Sequence, residues 1–132
     1  MRFYVASGLP NRERAADAVR FLTSLGHTPS YDWTAHGDVR SEGEARMGQV
    51  STNELAAVCD AELVVVLLPG GPGTHTELGA ALATREDKRI FLWSQEESAL
   101  GGGPQTCVFY HHPAVTRICC PYEELLQQLA AL

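Results

Sequence analysis

Positive charge is scarce in this chain. Its 132 residues hold 10 Lys and Arg against 16 Asp and Glu, a formal net charge of -6. That balance argues against binding to nucleic acid polymers, which usually shows as a basic face, but it does not exclude a mononucleotide. Long apolar runs are missing too: no stretch approaches the roughly 20 residues of a membrane span. The N-terminus, MRFYVASG, runs directly into a strand rather than a secretory leader. A cytoplasmic protein without membrane association is expected. There are 4 cysteines, Cys59, Cys107, Cys119 and Cys120, and none forms the C-x-x-C spacing of a zinc or redox site. The neighbours Cys119 and Cys120 point to opposite faces if they lie on a strand. Reduced, partly buried thiols and no metal site are expected, although His111 and His112 lie between two of the cysteines. Internal repeats, low-complexity tracts and dividing linkers are also lacking. With 45% hydrophobic residues, residues 1–132 are expected to form a single domain with a two- or three-layer core.

Strand and helix signals alternate along the chain. Arg2 to Ser7 is a short β-rich run. After Gly8-Leu9-Pro10-Asn11 comes a helical pattern with Ala15, Ala18, Val19, Leu22 and Leu25 on one face, closed by Gly26. His27 to Trp33 reads as a second strand, placed at an edge because Pro29 cannot donate to a central ladder. The polar loop Thr34 to Arg40 precedes a helical region, Ser41 to Cys59, with S-x-x-E starts at Ser41/Glu44 and Ser51/Glu54. This is one helix interrupted near Gly48 or two short ones. Ala61 to Leu68 is a continuous apolar strand of the kind buried on both faces. It is followed by a helix from Thr74 to Arg85 and a strand from Arg89 to Trp93. The glycine-rich segment Ser94 to Gln105 reads as a flexible loop, since no helix follows it. Val115 to Cys119 is a fifth strand, and Pro121 opens a last helix at its first position, with Glu123 and Glu124 in the first turn.

Such alternation predicts an α/β fold of three layers: a five-stranded parallel sheet covered by helices on both faces and joined by right-handed crossovers. An edge second strand and a central third strand give the flavodoxin-like order 2-1-3-4-5. In that order a ligand crevice lies outside the C-terminal ends of strands 1 and 3. The loops gathered there are Ser7-Gly8-Leu9, Asp32-Trp33-Thr34 and the turn Pro69 to Glu77.

That turn, PGGPGTHTE, joins the most apolar strand to a helix-forming stretch, LGAALATRE. Glycines let the backbone approach a ligand closely, and the unpaired N–H groups of a first helical turn attract negative charge. Two readings of Glu77 stay open. Thr74-x-x-Glu77 matches a capping box, in which both side chains merely satisfy backbone amides. Alternatively, a first-turn carboxylate kept ionised by the helix dipole can serve as a nucleophile or base. Gly70, Gly71 and Gly73 favour the second reading, because a plain strand-to-helix connection does not need them. The turn does not match the common nucleotide fingerprints. It lacks the third glycine of G-x-G-x-x-G and the lysine of a P-loop, which argues against a dinucleotide oxidoreductase and against NTP hydrolysis.

The segments FYVASG, GHTPSYDW and above all GGPGTHTELGAALA resemble the nucleoside 2-deoxyribosyltransferase-like proteins, which include the 2'-deoxynucleoside 5'-phosphate N-hydrolases. The resemblance spans nearly the whole chain. It implies that Glu77 attacks the anomeric carbon of a sugar and releases the base, and that no cofactor takes part. A second acid, on the helix before the apolar strand, corresponds by spacing to Glu54, where an aspartate is usual. The alternative for Glu54 is the Ser51-x-x-Glu54 cap or a solvated face. Cleavage of an N-glycosidic bond needs such a pair, one carboxylate to stabilise or trap the oxocarbenium-like centre and one acid for the leaving base. Water as acceptor gives a hydrolase, and a second base gives a transferase.

The same resemblance suggests Trp33 or Tyr31 for stacking on the base, Asp32 for a sugar hydroxyl and His75 for phosphate or the leaving group. The loops carrying Ser7, Gly8, Gly70, Gly71, Gly73 and Thr74 would wrap the substrate. Gly71 stands six positions before Glu77, where the phosphate-specific hydrolases carry a serine, although glycine amides can still hold phosphate. The expected partner is a small nucleoside or nucleotide. The family's habit of forming homo-oligomers implies a homodimer or larger assembly, with Leu125, Leu126, Leu129 and Leu132 as an interface or as the face of a core-packed helix. Two further readings remain. PGGPGTHTE also resembles the lysine-decarboxylase-like phosphoribohydrolases, and the same scaffold can bind nucleotides without turnover.

Overall fold

The computed structural model describes residues 1–132. Five parallel strands, β1 (Arg2–Ser7), β2 (Thr28–Pro29), β3 (Leu63–Leu67), β4 (Arg89–Ser94) and β5 (Val115–Cys119), form one sheet in the order β2-β1-β3-β4-β5. Helix α1 (Arg12–Ser24) packs with α5 (Tyr122–Ala130) on one face, and α2 (Glu44–Asp60) packs with α3 (Pro72–Ala83) on the other. The molecule is therefore a three-layer α/β fold with the flavodoxin-like order. All five residues of β3 are buried, as both-face coverage requires of a central strand. It aligns Phe3 with Leu63 on one side and Leu63 with Arg89 on the other. No helix is long and apolar enough to cross a membrane.

The second strand is much shorter than His27 to Trp33. After Pro29, Ser30 still donates its N–H to the Phe3 carbonyl, but its hydroxyl turns to the carbonyls of Phe3 and Ala57. Asp32 then accepts the Thr34 N–H and starts a tight turn over Trp33–Ala35. Leu25 is 42% exposed, because α1 stops at Ser24 and the chain reverses through Gly26 at a φ of 92°. Helix α2 is continuous. Neither S-x-x-E pattern caps it, since Gly43 precedes Glu44 and Ser51 donates to the Gly48 carbonyl from mid-helix.

Helix α3 starts two residues before Thr74, with Gly71 as its cap and Pro72 at the first position, where a missing N–H costs nothing. The supposed flexible stretch after β4 holds a short helix, α4 (Glu97–Leu100), and a tight turn follows at Val108–His111. Pro121 is the residue before α5 rather than its first. Leu125 and Leu129 are buried in the core, so that face of α5 is spent on folding.

Candidate active site

A cleft of about 700 Å³ opens at the C-terminal ends of β1 and β3. Ser7 and Gly8 close its floor, the segment from Trp33 to Arg40 forms one wall, α2 contributes Val50 to Leu55, and the start of α3 the rest. Glu54 and Glu77 both line it, each half-buried. They come together because α2 and α3 pack side by side over the same face of β1.

The group that joins them is Tyr4. It lies fully buried in the middle of β1 and donates its hydroxyl to Glu77 Oε2. Glu54 lies near the same hydroxyl, close enough for its charge to act on it. Burial holds the Tyr4 phenol far above its ordinary range, and the two nearby carboxylates push in the same direction, so Tyr4 stays a proton donor. Burial also pushes the Glu77 carboxyl up to about 8, against the Tyr4 hydrogen bond, which favours the ionised form, and with help from the charge on Glu54. Glu54 is raised for the same first reason, opposed by His36 and by Tyr4. The helix-dipole argument for Glu77 is therefore corrected. With α3 beginning at Pro72, Glu77 sits in the second turn, beyond the reach of the dipole, and desolvation wins. The capping box is corrected with it: Thr74 is inside the helix, and the Glu77 side chain bonds Tyr4 rather than a backbone amide.

Of the other residues singled out in the sequence, Ser7, Gly8, Trp33, Gly71, Gly73 and Thr74 line the cleft. Gly8 is needed for close approach: its N–H donates to the Pro69 carbonyl, and a Cβ there would come 3.2 Å from that oxygen. Gly71, Gly73 and Thr74 belong to the first turn of α3, whose amides have no acceptor inside the helix. Trp33 is buried with its indole N–H on the Val5 carbonyl, 2.8 Å away, so it can present only part of its ring to a ligand.

Four residues do not line the cleft. Tyr31, the other stacking candidate, has its hydroxyl 2.7 Å from His36 Nε2. The Asp32 carboxylate is taken up by the Thr34 amide and hydroxyl. Gly70 lies against Thr74. His75 is held between the Gly71 carbonyl and the Tyr110 hydroxyl, each 2.7 Å away. Tyr4 and His36 went unnoticed in the sequence. Tyr4 carried a usable signal, a phenol inside an otherwise apolar strand whose hydroxyl must find a partner; His36, in a polar loop, carried none. No three His, Cys, Asp or Glu side chains gather as a metal-binding set.

Two carboxylates lining one cleft, one of them held by a tyrosine donor, beside free helix amides, suit nucleophilic and acid chemistry on a polar or anionic substrate. No protein-family profile matches the chain. Sequence comparison with curated proteins finds no match either. Among solved structures the fold is similar to that of the Clostridium botulinum CMP N-glycosidase BcmB, with a TM-score of 0.67 and 22% sequence identity over 98% of each chain.

Proposed function

We propose that this protein cleaves the N-glycosidic bond of a nucleoside or nucleoside 5'-monophosphate, with Glu77 as nucleophile and Glu54 as general acid. The observation that carries this reading is the Tyr4 to Glu77 hydrogen bond, which fixes a carboxylate beside Glu54 in a substrate-sized cleft. Likeness to a CMP N-glycosidase in fold supports it.

In the first step the Glu77 carboxylate bonds to the anomeric carbon while the carbon–nitrogen bond breaks. The electron pair leaves with the base, and the Glu54 proton goes to the base nitrogen. In the second step water attacks the anomeric carbon, gives its proton to Glu54, and the Glu77 ester opens to a carboxylate. A free base in place of water makes the same site a transferase. The α3 amides of Gly71, Gly73 and Thr74 are the groups suited to a 5'-phosphate. Residues 1–132 act as one catalytic domain in this reading, working as a homodimer or larger assembly on a small nucleotide.

Incubation with a panel of deoxynucleosides, ribonucleosides and their monophosphates, with and without a second free base, tests it by chromatography. Base release by the wild type that disappears in Glu77→Ala supports the reading. Thermal stabilisation by a nucleotide without release marks a binding domain, and release from ribonucleoside monophosphates alone points to the phosphoribohydrolase chemistry.

A further inference from the structure

His36 follows the turn at Trp33–Ala35 and lines the cleft together with Glu54, yet the two-step chemistry gives it no task. Its ring is held at both nitrogens. Nδ1 lies 2.8 Å from the Gly37 carbonyl oxygen and Nε2 lies 2.7 Å from the Tyr31 hydroxyl. A carbonyl only accepts, so Nδ1 carries a hydrogen in either charge state. A hydroxyl both donates and accepts: Tyr31 gives its proton to a neutral Nε2 and accepts one from a charged ring. The clamp therefore lets His36 gain or lose charge without breaking a hydrogen bond.

From α1, the Arg12 guanidinium lies against Gly37 and donates its Nε–H to the Thr34 carbonyl, 2.9 Å away. Asp38 and Arg40, in the same cleft wall, pair with each other at 2.6 Å. Tyr4 and Glu77 face Glu54 from β1 and α3. Glu54 is the carboxylate on which His36 acts, favouring its ionised form against burial. A half-buried acid that gives its proton to a leaving base is left with a negative charge in poorly hydrated surroundings, which costs free energy unless a cation faces it.

We infer that His36 is a positioning residue: clamped by Gly37 and Tyr31, its imidazolium offsets the charge Glu54 carries once the base has taken its proton. The inference rests on the reading of Glu54 as general acid. The proton of His36 stays on the ring throughout, and the one transferred comes from Glu54.

The test compares wild type with His36→Gln, which retains polar reach but cannot become charged. The acid limb of the kcat/KM profile on the natural substrate moves to higher pH by about half a unit to one unit. The value of kcat falls while KM changes little. With a nitrophenyl glycoside, whose leaving group departs without a proton, the loss disappears. Tyr31→Phe, which removes the acceptor of a charged ring, moves the limb in the same direction. An acid limb that stays in place in both variants, or an equal loss on both substrates, overturns the inference. A wild type that releases no base from either substrate overturns the glycosidase reading itself, and this inference falls with it.

Discussion

Tyr4, fully buried in β1, donates its hydroxyl to Glu77 on α3, across 73 residues of sequence. The contact lowers the proton affinity of Glu77, although burial raises it further than the bond can offset. Tyr4→Phe fills nearly the same volume and removes only the donor. A hydrogen bond to a charged group contributes about 1.5 to 3 kcal/mol, so kcat/KM should fall by roughly 10- to 100-fold with the fold intact. Loss of the bond moves the Glu77 carboxyl above about 8, and kcat/KM measured across pH should show its alkaline limb displaced upward.

Folding stability should carry the mark of the same carboxylate. The folded state holds the Glu77 proton more tightly than the unfolded chain does, because burial lifts its carboxyl from 4.5 to about 8. That contribution to stability is present in full below pH 4.5 and is lost as pH rises to about 8. Glu77→Gln is neutral at every pH. Thermal melts should show the variant more stable than wild type near pH 9, by about 2 kcal/mol or several degrees, with the difference shrinking toward pH 5. A variant destabilised equally at both pH values contradicts the assignment of a carboxyl whose proton is held by desolvation.

Glu54→Gln separates the two acids. General acid catalysis contributes about 10²- to 10⁴-fold, and the variant should lose that much in kcat on a natural nucleoside or nucleotide. A nitrophenyl glycoside needs no proton on its leaving group and should be cleaved by the variant at near the wild-type rate. Comparable losses on both substrates would remove Glu54 from the acid role.

The glycine turn offers a contrast between neighbours. A Cβ at Gly70 would come 2.5 Å from Thr74 Cγ2, and Thr74 is buried, whereas a Cβ at Gly71 meets nothing within 4 Å. Gly70→Ala should cost about 1 to 3 kcal/mol by overpacking, read as a lowered Tm. Gly71→Ala should leave Tm nearly unchanged. If nucleotide binding weakens in Gly71→Ala alone, its place in the cleft is the cause.

The architecture was legible because its signals are local. Pro29 marked an edge, the unbroken apolar run at β3 marked the centre, and between them they gave the strand order. Helix starts were less legible. Thr74-x-x-Glu77 has the letters of a capping box, but Pro72 at the first helical position sets the start earlier and frees Glu77 to turn toward Tyr4. Asp32 and His75 looked like ligand contacts because both are polar and near the crevice, yet short-range hydrogen bonds to Thr34 and Gly71 claim them. The Tyr4 to Glu77 pairing had no local pattern to reveal it, since the two residues meet only when α3 lies across the sheet.

The reading stands or falls on a covalent bond between Glu77 and a sugar. Wild-type protein mixed with a substrate it cleaves, quenched in acid within one turnover and digested, should yield by mass spectrometry the peptide bearing Glu77 enlarged by one sugar or sugar phosphate. The adduct should be absent in Glu77→Ala, which should also release no base. Undiminished base release by Glu77→Ala, with no adduct on the wild-type peptide, would contradict it.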